Sequence, residues 1–115
     1  MINAVLNLYI LIFNQETSKY DILSIDKKQI SVPNILLDDK TNINDELSNL
    51  FIKYVDLSSD YVVFKISDAE IIGNKLHIVY YCVPPFNTKI KNSFLLPYYP
   101  NEIIFTNLQK IIKLL

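Results

Sequence analysis

Four carboxylates lie near one another in the middle of the chain, Asp38 and Asp39 in one short stretch and Asp45 and Glu46 in the next. Groups of this kind could gather a divalent cation. A Ca²⁺ loop, however, wants oxygen ligands at alternating positions around a glycine, and the only glycine of the 115 residues is Gly73. A solvated loop followed by a helix N-terminus accounts for all four, because the positive end of a helix dipole favours acidic side chains. The single histidine, His77, and the single cysteine, Cys82, are five positions apart. On one strand, side chains at that spacing point to opposite faces, which removes a Cys-His dyad. A zinc site needs about four such ligands, and a glycine-rich phosphate loop needs more than one glycine. The expectation is a chain with no catalytic residue, no metal and no cofactor.

The aromatic residues are more suggestive. Phe86, Phe94, Tyr98 and Tyr99 sit in or beside a proline-punctuated stretch, residues 86–100. Aromatic side chains on loops offer amphipathic area, either to stack a base or to meet a protein partner. The same residues could instead close the core beneath the last helix. They are the candidate contact residues. The chain ends in KIIKLL, where Ile112 and Leu114 fall off the main apolar face and could extend a contact surface.

Positioning these residues falls to a run of alternating apolar and polar segments. Val5 to Phe13 is almost continuously apolar, as a strand covered on both faces should be. A polar turn over 14–18 leads to a second strand, Tyr20 to Ile25, and a third is read at Ile30 to Val32, ended by Pro33. Ile43, Leu47, Leu50, Phe51 and Tyr54 recur at the spacing of one helix face, with Thr41 or Asn42 able to cap its start. Two longer strands follow, Tyr61 to Ile72 and Lys75 to Val83, joined at Gly73-Asn74, a two-residue hairpin signal. After Pro84-Pro85 a loop with a short strand at Lys89 to Leu95 leads to a helix from about Asn101, with Ile104, Leu108, Ile111 and Leu115 on one face. The order β-β-β-α-β-β-(β)-α, with two amphipathic helices and an apolar sheet, predicts one α/β (α+β) domain over 1–115 with helices on both faces of the sheet.

Composition narrows the function. Half the residues are hydrophobic and a fifth charged, which excludes disorder. There is no arginine, the residue that holds phosphate and carboxylate in bidentate fashion. The eleven lysines are scattered and the formal charge is −1, which argues against a nucleic-acid partner. The N-terminal run AVLNLYILIF is shorter than the ~20 residues of a spanning helix, and it lacks the basic region and cleavage site of a signal peptide. With one cysteine and no membrane segment, the expected location is cytoplasmic. The bias toward Ile, Asn, Lys and Tyr is that of AT-rich coding, as in a phage or a low-GC bacterium.

In element order the chain resembles the Nudix hydrolases, whose fold places a mixed sheet between helices. Their signature, G-x5-E-x7-R-E-U-x-E-E-x-G-U with U a bulky aliphatic, spans a strand, a loop and a helix. Val32-Pro33 before the helix and LPYYPNEI (96–103) before the last helix carry the likeness. With Pro33 in its usual place, Ile35 falls on the first glycine, Thr41 on the first glutamate, and Asn49 and Leu50 on the Arg-Glu pair. Lys53 and Tyr54 fall on the paired glutamates and Asp56 on the final glycine, while only the bulky positions, Phe51 and Leu57, keep their type. In that family the helix glutamates bind Mg²⁺, a hard cation that requires oxygen ligands. The resemblance therefore implies a degenerate, non-catalytic Nudix-like domain that works by binding a protein partner or a second copy of itself. The alternatives are a metal-independent sensor of a small nucleotide, with Tyr98 or Tyr99 stacking the base, and an atypical nucleotide hydrolase working with unconventional residues.

Overall fold

The computed structural model of the protein describes residues 3–97 and 106–115. Its organising strand is β1 (Asn3–Asn14), the most continuously apolar stretch of the chain. β1 pairs in parallel with β5 (Lys75–Cys82) over Asn3 to Ile10 and antiparallel with β3 (Asn34–Leu37) over Ala4 to Asn7. The end of β1, from Leu11 to Asn14, pairs antiparallel with β2 (Lys19–Ser24). β4 (Lys65–Ile72) and β6 (Phe94–Pro97) complete a mixed six-stranded sheet in the order β4-β5-β1-β2-β6, with β3 set against β1 off that path. Both faces of β1 are covered, Leu6, Leu8 and Ile10 lying in one core layer and Leu11 in the other, which is why the strand tolerates so few polar residues.

Side chains alternate across the sheet, and the alternation sorts the core into two layers. Leu6, Leu8 and Ile10 of β1, Leu23 of β2 and Cys82 of β5 face α1 (Ile43–Tyr54), meeting its Leu47, Leu50, Phe51 and Tyr54. Leu11 of β1, Ile22 of β2, and Val79 and Tyr81 of β5 face the other way, toward Ile111 of α2 (Thr106–Leu114). The molecule is thus an α-β-α sandwich, with each helix covering one face. Phe51 is fully buried and meets Phe64 edge to face, with ring centroids 5.9 Å apart. Burying a side chain of that size contributes about 1.5–3 kcal/mol.

α1 begins where the sequence placed a cap. Asn42 is its N-cap, and its Oδ1 accepts from the N–H groups of Asn44 (2.9 Å) and Asp45 (3.3 Å). At the other end the helix stops at Tyr54, because Val55 turns extended and forms a bridge with Ile90. The Lys91 N–H donates to the Tyr54 carbonyl at 2.9 Å, so the segment after β5 closes the helix. The Gly73-Asn74 hairpin is present, with Gly73 at φ +62°, a region that a side chain would strain.

Four expectations are corrected. The third strand lies after Pro33, not before it. Residues 25–31 curl into a loop in which the buried Ser24 hydroxyl accepts from the Ser31 N–H (2.9 Å) and lies 2.6 Å from the Asp26 carbonyl. Pro33 has no N–H to give a ladder, but its carbonyl accepts from Leu8 N–H at 2.9 Å and it leads directly into β3. β4 starts at Lys65 rather than Tyr61, because Ser58 caps a single 3-10 turn over Ser59–Tyr61. The short late strand is Phe94–Pro97 rather than 89–95. On α2, Leu115 is half exposed, while Ile112 packs against the core layer beneath the helix. Ile104 lies outside the described residues.

Candidate functional site

Two places could carry function. The first is the outer end of α1, where the resemblance sets the paired metal-binding glutamates. Tyr54 is 7% exposed and belongs to the core layer beneath α1. Lys53 is exposed on the helix surface and its ammonium lies 5.5 Å from the Tyr54 ring centroid, a cation–π contact. At the two positions on which the resemblance lays a carboxylate pair, the structure has a positive charge beside a buried ring. Thr41, on the first glutamate position, is engaged locally: its hydroxyl donates to Asp38 Oδ1 at 2.6 Å, and the Lys40 N–H donates to the same oxygen at 2.9 Å. These bonds hold the Asp38 carboxyl below its usual pKa and tie the loop that enters the helix. Asp45 and Glu46 sit in the first turn of α1. Among the described residues no three His, Cys, Asp or Glu side chains come together as a metal site would require.

The second place is a groove of about 390 Å³ beyond the carboxyl ends of the two parallel strands. Ile12, Phe13 and Asn14 from the end of β1, Phe86 and Asn87 from the segment after β5, and Leu95 from β6 form it, with Gln15, Glu16 and Asp21 at its rim. In sheets with parallel strands, this end is where ligands gather, and the volume lies in the range of small-ligand sites. Asn14 organises the rim. Its Nδ2 donates to Asp21 Oδ2 (3.1 Å), and its Oδ1 accepts from the backbone of Glu16 (2.9 Å) and Thr17 (3.4 Å).

The predicted aromatic cluster is divided. Phe86 is 53% exposed and lines the groove. Phe94 is 40% exposed, but it precedes Leu95 on a strand, so it points to the opposite face from the residue that lines the groove. Tyr98 and Tyr99 lie outside the described residues. The rim residues Asn14, Glu16 and Asp21 were legible only as a polar turn and a strand position. Their one local signal is an asparagine two residues before a glutamate at the end of a strand, the pattern of an Asx turn.

His77 and Cys82 do face opposite ways. His77 stands opposite Glu70 and Val5 and borders a cleft of about 90 Å³ with Asn7, Tyr9 and Asp68. Cys82 is fully buried beneath α1, and burial pushes its thiol up to about 12. A thiol held protonated is no nucleophile. Beside the cleft, Lys110 of α2 reaches Asp68 of β4 at 2.9 Å, an exposed ion pair that lowers the Asp68 pKa and raises that of Lys110. No described helix is long and apolar enough to cross a membrane.

No protein-family profile matches the chain, and neither does any curated protein. Solved structures do. The C-terminal domain of mouse MUTYH, in its complex with human PCNA, superposes with a TM-score of 0.65 at 11% identity, over 98% of this chain and 86% of that one. The Caenorhabditis elegans Ap4A hydrolase gives 0.59 at 10% identity, over 99% and 98%. A MutT/nudix family protein from Enterococcus faecalis gives 0.58 at 12% identity over 87% of this chain, which spans only 46% of that protein's length. Identities this low speak of fold alone. The sheet between two helices, the strand-loop-helix through α1 and these superpositions together establish that the chain has a Nudix-like fold.

Proposed function

We propose that this chain is a Nudix-like domain that binds without hydrolysing, acting through a protein partner or through a second copy of itself. The observation that carries the reading is the pair Lys53 and Tyr54, an ammonium over a buried ring at the positions of the family's paired glutamates. Hydrolysis of a nucleoside diphosphate linkage by this family's route needs carboxylate oxygens on that helix face to hold Mg²⁺. A lysine there repels the cation, and a buried tyrosine offers it no charged oxygen. Support for a protein partner comes from the MUTYH domain, whose structure was solved in a complex with PCNA.

The test is a hydrolysis assay of the purified protein on nucleoside diphosphate derivatives with Mg²⁺, run beside light scattering over a range of protein concentrations. No turnover above buffer is expected. Mg²⁺-dependent turnover that disappears in Asp45→Asn/Glu46→Gln would sink the proposal.

A second reading, a metal-independent nucleotide sensor, is favoured by the size of the groove beside Phe86 and by a neighbour that is an Ap4A hydrolase. Against it stand the two carboxylates at the rim, which repel phosphate, and the lack of arginine. A nucleotide held at about 100 times its dissociation constant would add roughly 2.7 kcal/mol to stability. Such a gain in the absence of Mg²⁺ is the result that would favour the sensor.

A further inference from the structure

The groove past β1 and β5 combines an aromatic wall with an acidic rim, and no lysine lines it. Among the described residues neither Glu16 nor Asp21 takes part in an ion pair. The nearest cation along the ladder is Lys19, which stands opposite Asn14 and is exposed. Asn14 holds both parts of the rim: it binds the Asp21 carboxylate through Nδ2 and the backbone that carries Glu16 through Oδ1. An acceptor set in place before binding loses little freedom when a donor arrives. Phe86 presents a half-exposed ring beside it.

From this arrangement we infer that the groove seats a lysine or arginine side chain from an extended basic segment of a partner protein. The alkyl stem lies along Phe86 and Leu95 while the charged head meets Asp21 and Glu16. Long cationic side chains bury their stems on apolar surface and keep their heads with polar partners, and an aromatic face attracts the cation. The charge decides between occupants. A nucleotide would bring phosphates against two carboxylates and find no lysine lining the groove to receive them. The inference rests on the binding reading above and names the chemistry of the partner.

The test is an ¹⁵N-labelled amide titration of the full chain with tri-lysine amide and tri-arginine amide, with tri-glutamate and ADP as separate arms. Shifts confined to Phe13 through Glu16, Asp21, Phe86 and Asn87 are expected with the cationic peptides. Binding should weaken about tenfold or more in Phe86→Ala and in Glu16→Gln/Asp21→Asn, both of which alter exposed or rim side chains and should keep the wild-type spectrum elsewhere. The inference is overturned by no shift, by shifts spread equally over Asp38, Asp39, Asp45 and Glu46, or by binding that ignores both variants. It is also overturned if ADP moves these amides in place of the peptides, or if dilution alone moves them, which would put a second copy in the groove. None of these outcomes depends on hydrolysis, so the non-catalytic reading stands or falls separately.

Discussion

Replacing Tyr54 with glutamate would restore, at one position, the residue type that the metal-binding helix of this fold family carries. If the site were merely dormant, the change should be tolerated and should bring some affinity for Mg²⁺. The structure says otherwise. Tyr54 is 7% exposed and packs in the same layer as Phe51 and Leu50. Glutamate leaves part of the ring volume empty, a loss of about 2 kcal/mol given the ~3–5 kcal/mol of a full aromatic truncation. It also has to sit protonated or charged in that layer. A burial shift of about 3 pKa units costs about 4 kcal/mol at neutral pH. The sum, about 6 kcal/mol, matches or exceeds the stability of many domains of this size. Because the buried carboxyl is raised above its unfolded value near 4.3, its penalty grows as pH rises above that value and vanishes below it. Urea denaturation of Tyr54→Glu should therefore show a variant largely unfolded at neutral pH that recovers part of its midpoint near pH 5. Lys53→Glu, on the exposed side of the same turn, should lose only the cation–π contact, about 0.5–1 kcal/mol. A Tyr54→Glu protein within about 1 kcal/mol of wild type, or one whose midpoint rises with Mg²⁺, would refute this reasoning.

Three further outcomes follow from the same structure. Asn42→Ala removes the acceptor for two N–H groups at the start of α1 and should lower stability by about 1 kcal/mol in chemical denaturation. Cys82, buried and with its thiol raised to about 12, should resist alkylation in the native protein and react in urea, so that its labelling rate follows global unfolding. Asp38 and Asp68 are both held below the usual carboxylate pKa, and Lys110 above the usual lysine value. Each carboxylate adds stability that is present above the unfolded value near 3.9 and is lost as pH falls through the folded one. Lys110 adds stability that is present below about 10.4 and is lost as pH rises through its raised value. Melting temperature should accordingly fall less steeply with decreasing pH in Asp38→Asn and Asp68→Asn than in wild type, and added salt should narrow the difference for Asp68→Asn.

What the sequence determined by itself is what depends on near neighbours. The 3.6-residue spacing from Ile43 to Tyr54 forms a helix because those residues bury one face, and Asn42 caps it because its side chain reaches only the next two or three N–H groups. Gly73 marks the hairpin because a positive φ is a property of one residue. That Lys53 and Tyr54 bring no carboxylate to the end of α1 is likewise written in residue types, since no packing can turn a lysine into a carboxylate. Tertiary structure decided what depends on partners far along the chain. Pro33 reads equally well as the end of one strand or the lead into the next, and only the pairing of Asn34 to Leu37 with β1 settles it. The parallel match of β1 with β5, about seventy residues apart, brings the turn after one strand beside the segment after the other, and so creates the groove. That pairing joins Phe86 to Glu16 and Asp21, while the alternation of β6 turns Phe94 away. Proximity of this kind is set by hydrogen bonds between distant strands, and no local pattern of residues encodes it.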